Sequence, residues 1–279
     1  MRVTFIAEIG INASGSVPIA IDLMRVAKAA GCDAVKFQKR DLDLAIPPLM
    51  REHRRETPWG PMRYDAYKSK MEFDRDAFVA FARASDEIGI AWSASAFDPP
   101  SVAFLSEHGA PWIKIPSATL TDAETLHAAR ATGLPILMST GGSTWAEIDI
   151  AVETLSRCRL TLLHCCSLYP HSPSHSRLLV LDELRQRYGL PVGYSGHEEP
   201  GSNAVTLGAV ARGSSVIERH ITLSRLMWGS DQRASLEPHE LEKLVSEVRR
   251  LSDALTTGAE RAVDDAERAK IKTMRRTEW

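Results

Sequence analysis

Short apolar segments alternate with longer amphipathic segments along most of the chain. The apolar segments have the composition of buried strands, and they lie at residues 3–9, 33–38, 90–95, 111–116, 135–140, 160–166, 191–196 and 215–222. The amphipathic segments repeat apolar residues at helical spacing, and they lie at 18–31, 74–89, 121–133, 143–157, 176–189, 202–213 and 237–255. Strands and helices in this alternation predict a single-domain α/β fold, a (β/α)8 TIM barrel. A doubly wound open sheet is the structural alternative.

Two segments depart from this alternation. Residues 39–73 contain a Pro-Pro pair, the sequence TPWGP and many charges, so we expect a long loop there, over the active face of the barrel. Residues 256–279 are charged and compatible with a helix, but they are too few for a second domain. The sequence therefore predicts a barrel over 1–255 and a C-terminal helical tail over 256–279.

Composition narrows the classes of function. The chain has 279 residues, of which 44% are hydrophobic and 25% charged, as in ordinary globular proteins. A formal net charge of −2 predicts neither a nucleic-acid nor a membrane partner. The amino-terminal sequence MRVTFIAEIG lacks the basic region and apolar core of an export signal, so we expect a cytoplasmic protein.

Polar side chains occupy the ends of the predicted strands, and a TIM barrel carries its active site on that face. These candidate residues are Glu8, Lys36, Gln38, Ser95, Lys114, Ser117, Ser167, Tyr169, Ser195, His197, Glu218 and His220. In the last strand, side chains two residues apart share a face, so Glu218 and His220 point one way and Arg219 the other. We expect the first two to face the barrel mouth, which explains why charged residues interrupt an apolar strand.

Two pairs of these residues suggest binding chemistry. His197 and His220 end neighbouring strands, as the ligands of one divalent metal ion would. Lys36 and Lys114 would be unfavourable inside a barrel unless they met anions. Together with the nearby serines, we expect them to hold a phosphate and a carboxylate.

Glu8 and Glu218 are then left for proton transfer or for orienting water. Other interpretations of these residues stay open. Either histidine alone is also typical of a hydrogen-bonded core residue, and His164, inside an apolar run, is expected to be one. Lys36 or Lys114 could form a structural ion pair with one of the two glutamates, or a Schiff base as in class I aldolases.

Eight motifs, in order along nearly the whole chain, resemble those of one known family. They are AEIGINASGS (7–16), DAVKFQ (33–38), KIPS (114–117), STGGS (139–143), LLHCCSLYP (162–170), GYSGH (193–197), VIERHITL (216–223) and GSDQRASLEP (229–238). The chain resembles the barrel domain of the sialic acid synthases, the N-acetylneuraminate synthase family. The resemblance implies condensation of phosphoenolpyruvate with an open-chain aldose, typically an N-acetylhexosamine. The products are a 2-keto-3-deoxy sugar acid and phosphate, and the cofactor is Mn²⁺ or Mg²⁺.

The resemblance also assigns roles to individual residues of this chain. The family's metal ligands match His197 and His220, and its acidic residues for proton and water handling match Glu8 and Glu218. The groups that bind phosphoenolpyruvate match Lys36, Ser95, Lys114, Ser117, Ser167 and Ser195. The positions near the acceptor sugar match Gln38, Tyr169 and Asp231.

The chain departs from the family pattern mainly at the acceptor end. It reads Asn-Ala-Ser-Gly at 12–15 where members typically read NHNG, and it has Thr119 where an acidic residue is usual. We expect the chain to lack the C-terminal antifreeze-like domain that many members have. We therefore expect an acceptor other than N-acetylmannosamine, and a homodimer or a separate antifreeze-like-domain protein as partner.

Two other functions stay open on the sequence. One is a different barrel synthase, or a Schiff-base aldolase, that acts on phosphorylated sugars. A phosphorylated acceptor needs a second anion site, and no spare Lys or Arg cluster is evident at the strand ends. The other is a non-catalytic barrel that binds a sugar or a protein.

Overall fold

A closed barrel of parallel strands forms the centre of the molecule in a computed structural model that describes residues 2–255 and 263–277. Its strands are β1 (Thr4–Glu8), β2 (Ala34–Lys39), β3 (Ala91–Ala96), β4 (Ile113–Ile115), β5 (Ile136–Ser139), β6 (Leu160–His164), β7 (Val192–Gly196) and β8 (Val216–His220). Each strand pairs with its neighbours in sequence, and β8 closes the barrel onto β1 with His220 beside Glu8. The predicted TIM barrel is confirmed, and the open-sheet alternative is wrong.

One helix follows each strand. These helices are α1 (Val17–Ala29), α2 (Arg75–Ile88), α3 (Pro99–Glu107), α4 (Ala123–Ala131), α5 (Trp145–Thr154), α6 (Val180–Tyr188), α7 (Ala204–Ala211) and α8 (Pro238–Leu255). The sequence pattern missed α3, which begins with Pro99 and Pro100. Proline is tolerated in the first turn of a helix, and the Asp98 side chain caps this turn by accepting a hydrogen bond from the Ser101 amide at 2.7 Å.

The segment between β2 and α2 is not the plain loop that the sequence predicted. It contains the short helices Leu42–Ala45 and Pro48–Arg51, a hairpin of Arg54–Arg55 with Met62–Arg63, and the helix Tyr64–Met71. Tyr67 and Met71 of the last helix are buried against Ile11 from the β1–α1 connection. Local apolar contacts thus give this segment a defined structure beside the barrel mouth.

The C-terminal tail is described only in part. Residues 263–277 include the helix Asp265–Lys272, which the Asp264 side chain caps at its N-terminus. Positions 256–262 and 278–279 of the predicted tail lie outside the described residues. The boundary between barrel and tail stays a prediction. In the described part of the chain, no helix combines the length and the apolar character needed to cross a bilayer.

The barrel interior has an apolar floor and a polar mouth. The floor is a separate buried cluster of Ile6, Ala34, Leu137, Leu163 and Val216. Two residues further along β1, β2 and β8, the same faces carry a carboxylate, an ammonium and a carboxylate, namely Glu8, Lys36 and Glu218. Side chains two residues apart on a strand share a face. The side chains inside the barrel therefore change from apolar to charged between one layer and the next.

A second charged group lies on the outer face of the barrel. Arg219 of β8 is 1% exposed and forms an ion pair with Glu198, which follows β7. Thr206 of α7 donates to Glu198 at 2.9 Å and accepts from Arg219 at 2.8 Å, and the Tyr194 hydroxyl donates to Glu198 at 3.0 Å. This network joins β7, β8 and α7. It shows why Arg219 lies in an apolar strand, on the face opposite Glu218.

We predict that Arg219→Met lowers the free energy of unfolding by about 3–5 kcal/mol, because the Glu198 carboxylate is left buried without its cation. Urea unfolding measures the change. The control is Arg25→Met, which removes an exposed pair with Asp22 and should change stability by less than about 1 kcal/mol. Equal effects of the two substitutions would contradict a stabilising role for the buried network.

Candidate active site

A cavity of about 470 Å³ opens at the barrel mouth, at the C-terminal ends of the strands. Of the site residues predicted from the sequence, those that line it are Glu8, Lys36, Gln38, Ser95, Lys114, Ser117, Ser167, Tyr169, Ser195, His197, Glu218 and His220. Asp231 lies just outside this lining, with its carboxylate 3.8 Å from Nδ1 of His220. The structure thus brings the candidate residues together, while their roles stay predictions.

Two lysines and two glutamates form a buried charged cluster at the centre of the cavity. Nζ of Lys36 lies 2.5 Å from Oε2 of Glu8 and 3.8 Å from Oε1 of Glu218. Nζ of Lys114 lies 3.5 Å from the same oxygen of Glu218. All four side chains are less than 5% exposed, so water does not solvate their charges. The opposite charges stabilise one another instead.

The two carboxylates of this cluster have different proton affinities. Burial raises the pKa of Glu8 to about 7, although Lys36 opposes the shift. Burial acts on Glu218 in the same direction, but Lys114 and Lys36 together outweigh it and lower the pKa of Glu218 to about 2. These opposite shifts favour the ionised form of Glu218 and the protonated form of Glu8. Two carboxyl groups separated in this way suit acid–base chemistry.

Hydroxyl groups surround the ammonium groups. Lys36 donates to Oγ of Ser95 at 2.6 Å, and Lys114 donates to Oγ of Ser139 at 2.8 Å. Ser195 donates to Glu218 at 2.9 Å. The ammonium groups of the lysines therefore lie next to serine hydroxyls. Both kinds of group can donate hydrogen bonds to the oxygens of a small anion.

A tight turn after β5 brings further donors to the Lys114 side of the cavity. The Gly141 amide donates to Oγ of Ser117 at 3.0 Å, and that hydroxyl lies 3.2 Å from Sγ of Cys165. A Cβ on Gly141 would lie 2.5 Å from Oγ of Ser167, 2.6 Å from Cys165 and 2.9 Å from Ser117. The turn can approach these side chains so closely only because residue 141 is glycine.

Two neutral imidazoles face each other on the side of the cavity opposite Lys114. The ring centroids of His197 and His220 are 5.3 Å apart, and burial lowers the pKa of each to about 3. Nδ1 of His197 lies 2.7 Å from the carbonyl oxygen of Cys166, which acts as the acceptor and leaves Nε2 of His197 with a free lone pair. Nδ1 of His220 is buried and has no hydrogen-bond partner within the described part of the chain.

These imidazoles fit a metal site that the protein completes only in part. Neutral rings with free nitrogen lone pairs are the form that binds divalent metals, and a carbonyl that fixes one tautomer is a usual supporting contact. Among residues 2–255 and 263–277, no group of three or more His, Cys, Asp or Glu side chains is arranged to hold a metal ion. The remaining ligands would therefore have to come from substrate or water.

The side assigned to the acceptor carries amide, aromatic and carboxylate groups. Gln38 lies with Nε2 3.4 Å from Oε1 of Glu8, and the Tyr169 ring stacks on His197 at 4.0 Å between centroids. Tyr169 also contacts His220 edge-on at 5.7 Å. The hydrogen-bonding and stacking surfaces next to the imidazoles suit a polyhydroxylated ligand.

Sequence reasoning missed some residues that contact this site. Ser139 and Gly141 belong to the STGGS motif but are not among the predicted site residues, although both line the cavity. Arg40 is not among them either, because it follows β2 in the segment predicted to be a loop. Its guanidinium donates to Gln38 and lies 4.1 Å from the Phe97 ring centroid. No sequence signal distinguishes this arginine from the other charges of that segment.

His164 lies where the sequence predicted a core residue. Its ring is 8% exposed, and Nε2 lies 2.8 Å from the carbonyl oxygen of Ser176. It does not line the barrel-mouth cavity in the described structure, unlike the two facing imidazoles.

Comparisons with known proteins agree with this geometry. Residues 23–260 match the model of the NeuB family. The chain is 36% identical to N-acetylneuraminate-9-phosphate synthase from Homo sapiens, over 90% of this chain and 70% of that protein. It is 31% identical to N,N'-diacetyllegionaminic acid synthase from Legionella pneumophila, over 95% of this chain and 76% of that protein. A crystal structure of N-acetylneuraminic acid synthetase from Leptospira borgpetersenii superposes with a TM-score of 0.86 at 29% identity, over 98% of this chain and 91% of that chain.

We predict that Gly141→Ala weakens, at least about tenfold, the phosphoenolpyruvate binding that the sequence resemblance implies, because the added methyl group displaces the hydroxyls of Ser117 and Ser167. Isothermal titration calorimetry measures the affinity. The control is Gly208→Ala in α7, which adds a methyl group 2.9 Å from Leu178, outside the cavity. Retained affinity in the Gly141 variant would show that this turn does not border the anion site.

Proposed function

This chain belongs to the NeuB family, the sialic acid synthases, and we propose that it condenses phosphoenolpyruvate with an open-chain, N-acetylhexosamine-like aldose. The products are a sialic-acid-like 2-keto-3-deoxy sugar acid and inorganic phosphate. The observation that carries this proposal is the convergence of two lysines, two glutamates and two facing histidines on one cavity. Each pair supplies a function that the reaction needs.

Phosphoenolpyruvate carries a phosphate and a carboxylate. Both are proposed to bind on the side of the cavity that is rich in hydroxyls. Lys36 and Lys114 supply the positive charge. The hydroxyl groups that complete the anion site are those of Ser95, Ser117, Ser167 and Ser195. Because the lysines are already held by two glutamates, their positions are set before the substrate arrives.

The reaction balances without an external oxidant or reductant. C3 of phosphoenolpyruvate forms a bond to the aldehyde carbon, and the aldehyde oxygen takes up a proton to become a hydroxyl. Water adds to C2 and loses one proton, which leaves a tetrahedral carbon that bears a hydroxyl and the phosphate. The bond between C2 and the bridging phosphate oxygen then breaks and its electron pair stays on that oxygen. The C2 hydroxyl becomes the keto oxygen, its proton passes to the departing phosphate, and inorganic phosphate leaves.

Glu8 and Glu218 are assigned to the two proton transfers. Glu8 contacts Gln38, which is assigned to the acceptor, so it is placed to serve the aldehyde oxygen. Glu218 contacts Ser195 and both lysines, so it is placed to orient the water that adds to C2. The different environments of the two carboxylates support this division.

His197 and His220 are proposed to hold a divalent metal ion, Mn²⁺ or Mg²⁺. When bound, the metal supplies a Lewis acid that polarises the acceptor aldehyde. Tyr169 keeps the two rings in place by stacking on one and contacting the edge of the other. With Gln38 and Asp231, it also forms the surface proposed for the acceptor sugar.

One observation favours a second candidate, an aldolase that forms a Schiff base. Burial lowers the pKa of Lys114, and a lowered pKa is what such a lysine requires. For the synthase, we expect that borohydride added with a ketose or aldose substrate leaves the protein mass unchanged. A mass increase that maps to Lys114 would establish the aldolase instead.

The function is tested by fixing phosphoenolpyruvate and varying the aldose. We expect phosphate release with at least one 2-acetamido aldose, with a keto sugar acid formed in equal amount. Mass spectrometry of the product and a phosphate assay measure the two. A chelator should abolish release, and Mn²⁺ or Mg²⁺ should restore it. Chelator-resistant turnover would contradict the metal assignment, and no release with any aldose would contradict the function.

His220→Ala should lower kcat/KM by roughly 100-fold or more, because one of two imidazole ligands is removed. The matched control is His108→Ala, which removes a histidine that stacks on Phe104 away from the cavity. Phosphate release under saturating metal measures both. Unchanged turnover in the His220 variant would show that this ligand assignment is wrong.

A further inference from the structure

A second cavity, of about 520 Å³, lies beside the barrel-mouth cavity, and we call it the side cavity. It lies between the N-terminal part of α5 and the connection from β6 to α6. Gly142, Cys165 and Ser167 line both cavities, so a shared wall separates them. Cavities that bind small molecules have about 300–1,000 Å³, and no step of the proposed reaction uses this one.

One part of the side cavity is apolar. Trp145 and Ile148 of α5 line it together with Val180 of α6 and Leu168 of the connection. Ile148 is buried, Trp145 and Val180 are partly buried, and Leu168 is 53% exposed. Covering these side chains would remove apolar surface from water, which favours a ligand with an apolar body.

The other part of the side cavity carries a positive charge. The guanidinium of Arg177 contributes it, and among the described residues that line the cavity none is an aspartate or a glutamate. Within the part of the chain that the structure describes, no carboxylate oxygen lies within 4 Å of this guanidinium. Because the Arg177 side chain is exposed, an entering anion can reach it without displacing an ion-pair partner.

The backbone of Arg177 is held in the left-handed region, with φ +41° and ψ +51°. This conformation favours glycine and is strained for an arginine. Neighbouring contacts maintain it, because the Val180 amide donates to the Arg177 carbonyl oxygen at 3.0 Å and the Ser176 carbonyl oxygen accepts from His164 at 2.8 Å. Strain retained at a residue whose side chain forms no ion pair in the described structure points to a function for that side chain.

The imidazoles of the side cavity do not replace this charge. Burial lowers the pKa of His164, and the charge of Arg177 acts in the same direction, so His164 lines the cavity as a neutral ring. His175 is hydrogen-bonded through Nδ1 to Oγ of Ser172 at 2.8 Å. Arg177 thus supplies one permanent positive charge, which matches a carboxylate better than the −1.5 to −2 of a phosphate monoester.

We propose that the side cavity binds a small carboxylate with an apolar body, and that this ligand opposes the binding of phosphoenolpyruvate. The carboxylate pairs with Arg177, and the apolar body packs on Trp145 and Ile148. Two anions on either side of the wall that contains Ser167 repel each other, so each lowers the affinity for the other by the same factor. The binding site is independent of the reaction, whereas its effect on phosphoenolpyruvate rests on the proposed function.

The experiment uses three probes that differ in one property each. Phenylacetate has the charge and the apolar body, phenylacetamide lacks the charge, and acetate lacks the ring. Isothermal titration calorimetry measures their affinities for the native chain, and we expect phenylacetate to bind at least about tenfold more tightly than the other two. Saturating phosphoenolpyruvate should weaken phenylacetate binding by roughly threefold to tenfold.

Arg177→Gly removes the charge without a cost in folding. We expect its affinity for phenylacetate to fall to that for phenylacetamide, whose own affinity stays at the native value. Its urea midpoint should not fall, because glycine adopts the left-handed backbone of this position more readily. The control is Arg187→Met, which removes a guanidinium 5.4 Å from the Trp145 ring centroid and outside the lining of the side cavity, and which should keep the native affinities.

Several results would overturn the proposal. These are equal affinities for the three probes, phenylacetate binding that Arg177→Gly leaves unchanged, and phenylacetate binding that phosphoenolpyruvate leaves unchanged. Phosphoenolpyruvate that excludes phenylacetate completely from both the native and the Arg177→Gly chains would also overturn it, because the probe would then occupy the barrel-mouth cavity. Phenylacetate binding that requires Arg177, in a chain that does not bind phosphoenolpyruvate, would support the side-cavity site and reject the proposed function.

Discussion

The buried cluster of Glu8, Lys36, Lys114 and Glu218 is the interaction on which the site depends. Four charges inside a protein are tolerated only when their signs balance and their distances are short. When all four groups are ionised the sum is zero, and the closest contact, between Lys36 and Glu8, is 2.5 Å. The four residues come from β1, β2, β4 and β8, so the cluster exists only when the barrel is closed.

The same cluster divides the cavity into two chemically different sides. Lys114 and the hydroxyls at the C-terminal ends of β4 to β7 face one side, which suits a small anion. The imidazoles, Gln38 and Tyr169 face the other side, which suits a polyhydroxylated acceptor. Glu8 and Glu218 stand between them, with pKa values shifted in opposite directions by their surroundings. In the proposed reaction, this difference gives different tasks to two carboxylates of similar intrinsic acidity.

The acceptor side extends beyond the barrel strands. The helix Tyr64–Met71 packs on the β1–α1 connection so closely that a Cβ on Gly15 would lie 2.1 Å from the carbonyl oxygen of Lys70. Gly15 also has a φ of +74°, a conformation that favours glycine. This contact positions the helix Tyr64–Met71 relative to the barrel. The segment after β2 therefore reaches the cavity lining through Arg40, which donates to Gln38.

The sequence by itself determined the barrel, because periods of two and 3.6 residues report directly on strands and helices. It also determined which side chains face the cavity, because alternation in β8 separates Glu218 and His220 from Arg219. It missed α3, where prolines resemble a turn, and the elements of the segment after β2. Only the tertiary structure decided the pKa difference between Glu8 and Glu218, the tautomer of His197, and the packing of the helix Tyr64–Met71 on Gly15. Each of these depends on distances between residues far apart in the chain, which no local pattern encodes.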